Sequence, residues 1–253
     1  MDTVNPLKEP IIYDTCAPEQ CAHLDFCQRS EFRAKEWHHC SRECPMVAKP
    51  VYAPGDHIHG WMDGHELNWL YETAKHMQSV VEVGSWRGRS TFALCSSGCP
   101  RVIAVDHFMG SEEHQNFIRD EKLDLRAEFY KNVGHFENLI VVEKPSALAS
   151  ELVSKMEGGK VDMVFIDASH DYESVREDLR LWAPLARKIV AGHDYGYDSV
   201  QRPIVEYFGR GRDRRCNAIW AMMVGGYAIS GDDGKPDVTD DSARNMVAMS
   251  PDN

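Results

Sequence analysis

A doubly wound α/β fold with a mostly parallel, seven-stranded sheet is predicted for residues 63–230, on three observations. Short apolar runs alternate with amphipathic stretches, the pattern of strand–helix–strand units. Those runs end at Gly84, Asp106, Glu143, Asp167 and close to Asp194, so polar or flexible residues gather at one edge. The last two runs, AIWAMM and YAIS, have only the Gly225-Gly226 turn between them, which reads as an antiparallel terminal hairpin. Strands joined through helices form right-handed crossovers, and such sheets bind ligands beyond the carboxyl ends of their strands. The chemistry is therefore expected at that edge.

Each element has its own signal. A helix from Asp63 to His76 aligns Leu67, Leu70, Tyr71 and Ala74, and Asp63 with Glu66 forms a capping-box pattern. SVVEVG is the first strand, Ser90–Ser96 a helix and RVIAVD the second strand. One long polar helix is expected between Glu112 and Val133. LIVVE is the third strand, Ala147–Met156 a helix, and VDMVFID the fourth and most continuous apolar strand. Tyr172–Leu185 is a helix, KIVAGHDY the fifth strand and Ser199–Phe208 a helix before the hairpin. The stripe Trp61, Leu67, Trp69 and Leu70 is read as core.

The flanks differ in composition. Residues 1–62 are rich in Cys, His, Pro and Trp, and residues 231–253 form an acidic tail expected to be disordered. The 28 basic residues against 40 acidic ones give a net charge of −12, which disfavours nucleic acid as a partner. Arg210, Arg212, Arg214 and Arg215 are the densest basic patch and read as a solvated loop. No apolar run suits a membrane span, and the start lacks the basic-then-apolar layout of a secretory signal, so a cytoplasmic location is expected.

Three segments carry chemistry. In VVEVGSWRGRST, Gly84 lets the chain turn, Gly88 lets backbone approach a ligand, and the next helix offers its amino-terminal amides to an anion. The spacing is neither G-x-G-x-x-G nor a P-loop. Asp106, at the next strand end, suits both hydroxyls of a ribose. Ser146 is placed to cap the following helix and to border an adenine. VDMVFIDASHDY and IVAGHDY deliver Asp167, His170, His193 and Asp194 to neighbouring strand ends. Asp167 and Asp194 could hold a divalent cation such as magnesium; alternatively His170 or His193 serves as general base. In the amino-terminal segment Cys16, Cys21, Cys27, Cys40 and Cys44 stand near His23, His38 and His39. Zinc or an iron–sulfur cluster would suit them, although their gaps of four, five, twelve and three residues include no C-x-x-C pair. Free buried thiols are the alternative, and core packing is expected for Cys95, Cys99 and Cys216. Trp37, His38 and His39 could form a lid.

EVGSWRGRST, AVDHF, VFIDASHDYESVREDLRLWAPL and IVAGHDY, in this order, resemble class I S-adenosylmethionine-dependent methyltransferases with a Rossmann-like fold. The nearest group has F-I-D-x-x-H-x-Y and G-H-D-Y motifs and includes sugar and natural-product O-methyltransferases. The resemblance spans about Val80 to Phe208. It implies that Glu82, Gly84, Ser85 and Gly88 surround the methionine part of the cofactor, that Asp106 holds the ribose, and that Ala147 lies near adenine. Ser90, His107, Ser146 and Asp167 complete the cofactor-facing set, while Asp167, His170 and Asp194 face the acceptor. Two departures stand out. Ala186-Arg187-Lys188 replaces the usual Pro-Gly-Gly turn, and bulky Trp86 and Arg87 threaten to narrow the pocket.

The sequence thus predicts S-adenosylmethionine-dependent methylation of a hydroxyl on a small molecule or sugar. Two rivals are a non-catalytic module binding metal and partners, and a nicotinamide-dependent oxidoreductase, which lacks its glycine fingerprint. Nucleic-acid methylation is disfavoured by the missing N-P-P-[YF] motif.

Overall fold

The computed structural model describes residues 12–13, 50–51, 53–212, 214–225, 228–229 and 236–237. The five amino-terminal cysteines, the suggested Trp37–His39 lid and nearly all of the acidic tail lie outside the described residues. One sheet contains β1 (Val80–Val83), β2 (Val102–Asp106), β3 (Leu139–Glu143), β4 (Val161–Ile166), β5 (Ala186–Gly192), β6 (Arg214–Cys216) and β7 (Ile219–Met223). Their order is β3-β2-β1-β4-β5-β7-β6. The first five are parallel; β7 runs antiparallel to β5, and β6 antiparallel to β7. Around the sheet are α1 (Gly64–Ala74), α2 (Arg89–Ser96), α3 (Gln115–Asp120), α4 (Leu125–Val133), α5 (Ser146–Met156), α6 (Tyr172–Trp182) and α7 (Asp198–Phe208). The result is a Rossmann-like α/β layer structure. Among the described residues no helix is long and apolar enough to cross a membrane.

The central strands are mostly apolar because helices cover both faces. Val81, Val83, Ile103, Val105, Val164, Ile166 and Val190 pack with residues of α5, α6 and α7. Val80, Val102, Met163, Phe165, Ile189 and Ala191 pack with residues of α1 and α2. The two-residue strand period decides where polar residues go. Glu82, two positions after Val80, shares the α1/α2 face; His193, two after Ala191, continues that face at the sheet edge. Both carry charge into the structure at points where only tertiary partners can satisfy it.

The capping box at the start of α1 is present: Asp63 Oδ1 accepts from the His65 and Glu66 amides at 2.8 and 3.0 Å, and Glu66 Oε2 accepts from the Asp63 amide at 2.8 Å. Three expectations need correction. The helix foreseen from Glu112 to Val133 is broken: a 3-10 turn Glu112–His114 leads into α3, and α4 starts afresh at Asp124, whose side chain accepts from the Ala127 amide. Lys122, at φ 52°, separates the two helices in a left-handed conformation that no α-helix tolerates. The AIWAMM strand pairs in the sheet with the preceding Arg214–Cys216, across Asn217-Ala218, and not with YAIS. Asn217 has φ 48°, which asparagine adopts readily in a two-residue hairpin turn. Ala228–Ile229 instead pairs with Pro236–Asp237. Finally, Ala186-Arg187-Lys188 is part of β5 and not a turn. A 3-10 turn over Ala183–Leu185 makes the connection, while Arg187 and Lys188 pair with the buried Asp162 at 3.1 and 3.0 Å.

Candidate functional site

The carboxyl ends of β1, β2, β4 and β5 meet at one edge, on either side of the point where strand order reverses. Gly84 closes β1 at φ 88°, and a Cβ there would stand 2.1 Å from the Asp167 carbonyl oxygen. Glycine is therefore required both by the turn and by the adjacent β4 end. Gly192 closes β5 under a similar constraint, with Trp220 and the Ile166 carbonyl against its α-carbon. Gly88 is the left-handed cap of α2, and its open side faces Val133 rather than the cleft.

Between those glycines the loop is held from below. Asp106 Oδ2 accepts from the Ser85 and Trp86 amides at 2.9 and 2.8 Å, and Oδ1 accepts from the Phe108 amide at 2.7 Å. A carboxylate has about four acceptor positions, so the three amides leave roughly one on Asp106 unused. Glu82 is fully buried and accepts from Thr91 Oγ1, while its Oε1 has no partner. Burial pushes its pKa up to about 7, against the opposing pull of nearby hydroxyls. Ser85 Oγ, one of the hydroxyls that pull on Glu82, makes no full hydrogen bond, and Trp86 Nε1 is buried without a partner. Buried polar atoms are rarely left so. Ser90 lies buried in the first turn of α2, and His107 is exposed, its Nδ1 accepting from the Met109 amide at 3.0 Å.

The bulky loop residues swing away from this pocket. Arg87 pairs with Glu128 on α4 at 2.9 Å, and the Trp86 ring packs against His114 at 4.9 Å. Ser146 needs correction as a cap: it is the first residue of α5, whose cap is Pro145. Its hydroxyl instead donates to Asp178 and accepts from Trp182 Nε1 at 2.7 Å, tying α5 to α6. Ala147 follows it on α5.

Across the switch point a second cluster forms. His170 Nε2 lies 2.9 Å from Asp194 Oδ2 and its Nδ1 2.9 Å from Glu113 Oε1. His193 Nδ1 lies 3.1 Å from the same Asp194 oxygen, and both imidazoles reach Asp167 Oδ1 at 4.0 Å. His193 Nε2 is 3.2 Å from Glu66 Oε1 without hydrogen-bond geometry. Asp194 sits at φ 60°, which aims its carboxylate back between the two rings. Hydrogen bonding to Asp194 raises His170 to about 9. His193 rises to about 11: burial opposes its charge, but its bond to Asp194 and the surrounding carboxylates outweigh that. Burial, helped by the Asp194 and Glu66 carboxylates and opposed by the two imidazoles, lifts Asp167 to about 6, whereas the imidazoles hold Asp194 well below the ordinary range despite its burial. Asp167, His170 and Asp194 each offer a ligand atom, all within 4.8 Å of one another. His170 and His193 are thus cations paired with carboxylates in this arrangement, not free bases.

Sequence reasoning missed several members. Glu66 was visible only as a capping residue, yet its Oε1 also accepts from the Ala218 amide at 2.8 Å and abuts His193. Glu113 comes from the 3-10 turn and carries no local signal of its contact with His170. Trp61, read as core, is largely exposed, whereas Leu67 and Leu70 are fully buried and Trp69 partly so. Cys95 and Cys99 are buried and Cys216 half-buried, as packing residues.

Comparisons with known proteins find distant likenesses. An uncharacterised protein of Sinorhizobium fredii, y4gI, is 25% identical over 134 residues, covering 50% of this chain and 14% of that protein. The chain thus matches a small fraction of that relative's length. Among solved structures, the O-methyltransferase from Bacillus cereus in complex with SAH is 17% identical, with a TM-score of 0.42 over 60% of this chain and 70% of that one. CalS11, a TDP-rhamnose 3'-O-methyltransferase of calicheamicin biosynthesis, is 16% identical, with a TM-score of 0.43 over 63% and 77%. TomG from Streptomyces achromogenes, in complex with SAM, is 13% identical, with a TM-score of 0.41 over 59% and 68%. Such distant likenesses transfer neither a reaction nor a substrate. Residues 81–195, just under half of the chain, match the family described as a methyltransferase domain, and that span contains Glu82, the glycine loop, Asp106, Asp167, His170 and Asp194.

Proposed function

We propose that the chain is an S-adenosylmethionine-dependent methyltransferase acting on a hydroxyl of a small molecule or sugar, with residues 63–230 as its catalytic domain. The observation that carries this reading is Glu82 Oε1, a fully buried carboxylate oxygen without a hydrogen-bond partner beside the glycine loop. The donor set fits the cofactor. A buried carboxylate oxygen suits the α-ammonium of its methionine part, the α2 amides suit the α-carboxylate, and the open position on Asp106 suits a ribose hydroxyl. When bound, the cofactor supplies an electrophilic methyl on a sulfonium.

The protein's share of the reaction is placement. An in-line displacement needs the acceptor oxygen aligned with the methyl, and fixing that geometry lowers the barrier more than any single proton transfer. The rigid ends of β1, β2, β4 and β5 provide such a frame. Asp167, His170 and Asp194 would hold a divalent cation, His170 giving up its ring proton as the cation binds, and the cation would lower the pKa of an acceptor hydroxyl. Asp194, kept ionised by its two imidazole partners, orients the acceptor side. His193, buried against Asp194, keeps its positive charge near the acceptor oxygen, whose proton passes to solvent as the methyl bond forms.

Calorimetric titration of the full chain with S-adenosylmethionine and separately with NADH tests the reading. Micromolar binding of the former alone supports it. Binding of NADH instead, or of neither by folded protein, would remove the assignment.

A further inference from the structure

The segment before α1 lies outside the matched family span and is held by the side chain of Arg89 together with core packing of Ala53 and Met62. Arg89, in the first turn of α2, donates from Nε to the Met62 carbonyl at 2.8 Å and from Nη1 to the carbonyls of Asp56 at 2.7 Å and Ile58. Its Nη2 pairs with Asp56 Oδ1 at 2.6 Å. Gly55 and Gly60 wrap so closely that a Cβ at either would stand 2.3 Å from the Arg89 carbonyl oxygen or 2.7 Å from its Cδ. Residues 55–62 are thereby fixed to the helix that follows the glycine loop. Met62 is buried by this, yet its neighbour Trp61 is left 60% exposed.

Trp61 does not dangle. Its ring packs 4.8 Å from His114 and 5.6 Å from Trp86, and Glu113, next to His114, contacts His170. Two other exposed apolar residues share this edge. Met109, 70% exposed, lies in the loop after β2, and Tyr197, 57% exposed, stacks on His170 with ring centroids 6.2 Å apart. An ordered apolar rim over a polar floor is the usual form of a ligand groove. In the floor four carboxylates, Glu66, Glu113, Asp167 and Asp194, meet two imidazoles. Four carboxylates against two imidazoles and a divalent cation leave no positive excess whether or not the imidazoles are protonated, so an anionic acceptor gains nothing there.

We infer that Trp61, positioned by Arg89, forms with Tyr197 and Met109 the rim of the acceptor pocket, and that the acceptor is a hydroxylated ring without negative charge. The inference rests on the function proposed above and narrows its acceptor. An aromatic ring and the C–H face of an uncharged sugar share the chemistry of stacking on an indole. A sugar nucleotide, with its diphosphate, does not fit.

The test uses the full chain loaded with SAH and magnesium, titrated with catechol, with methyl rhamnoside and with TDP-rhamnose, in unmodified protein and in Trp61→Ala and Trp61→Phe. One of the two uncharged rings should bind more tightly than the nucleotide sugar; which one identifies the source of the ring. Trp61→Ala should weaken that ring about tenfold and Trp61→Phe about threefold or less, with SAH affinity unchanged. Tighter binding of TDP-rhamnose, an unaltered affinity in Trp61→Ala, or no ring binding to SAH-loaded protein would overturn the inference alone. Failure of SAH itself to bind would sink the cofactor assignment and the inference with it.

Discussion

Glu82→Gln separates two roles of one carboxyl group. Without cofactor, burial raises the Glu82 pKa from 4.5 to about 7. A carboxyl raised in the folded state favours the protonated form, so its contribution to stability is fully present below pH 4.5 and is lost as pH rises through about 7. The shift corresponds to roughly 3 kcal/mol by linkage, and full burial leaves solvent little scope to screen it. The glutamine variant has no charge to bury. Urea unfolding across pH 5 to 8 should therefore show the variant gaining on the unmodified protein by about 2–3 kcal/mol at the alkaline end. Cofactor affinity should move the other way. Loss of a charge-assisted bond to an ammonium group costs about 1.5–3 kcal/mol, or roughly ten- to hundredfold in affinity. The difference between the two proteins isolates Glu82 from other groups titrating nearby. A pH-independent difference in stability would refute the buried-charge account, and unchanged S-adenosylmethionine affinity would remove Glu82 from the cofactor site.

Three further outcomes follow from the same geometry. Asp106→Ala removes the acceptor for three loop amides, so S-adenosylmethionine affinity should fall by about tenfold or more, and hydrogen exchange over Ser85–Gly88 should accelerate. Asp194→Asn breaks the bridge between His170 and His193; turnover should drop on the order of a hundredfold while calorimetry finds cofactor affinity within about twofold. Arg89→Met should cost about 2 kcal/mol or more in urea unfolding and raise exchange across Asp56–Met62, because several carbonyls lose their donor together. Exchange that stays slow there would show that packing alone holds the segment.

What the sequence revealed depended on the range of the signal. Strands β1, β2, β4 and β5 were legible because burial on both faces leaves continuous apolar runs, and their ends located Asp106, Asp167, His170, His193 and Asp194 at one edge. The Asp63–Glu66 capping box is a contact three residues long and was equally plain. Contacts without a local pattern were not. Nothing near Glu113 announces His170, and Arg89 reads as one basic residue among several in RGRST until residues 55–62 fold over it. The break before α4 did carry a signal, since Asp124 is a good amino-terminal cap, but the surrounding polar residues masked it. Gly225-Gly226 is the more conspicuous local turn signal, whereas the strand pairs across Asn217-Ala218, where asparagine takes the positive φ that the hairpin needs. Ser146 was misread because a serine before a helix signals a cap, while Asp178 and Trp182, more than thirty residues away, claim its hydroxyl.

The central claim, that the glycine loop receives S-adenosylmethionine, is tested most directly by a crystal structure of the protein with SAH. The account predicts the α-ammonium at hydrogen-bonding distance from Glu82 Oε1 and a ribose hydroxyl on Asp106. SAH bound elsewhere, or a loop that still leaves Glu82 Oε1 without a partner, would contradict it.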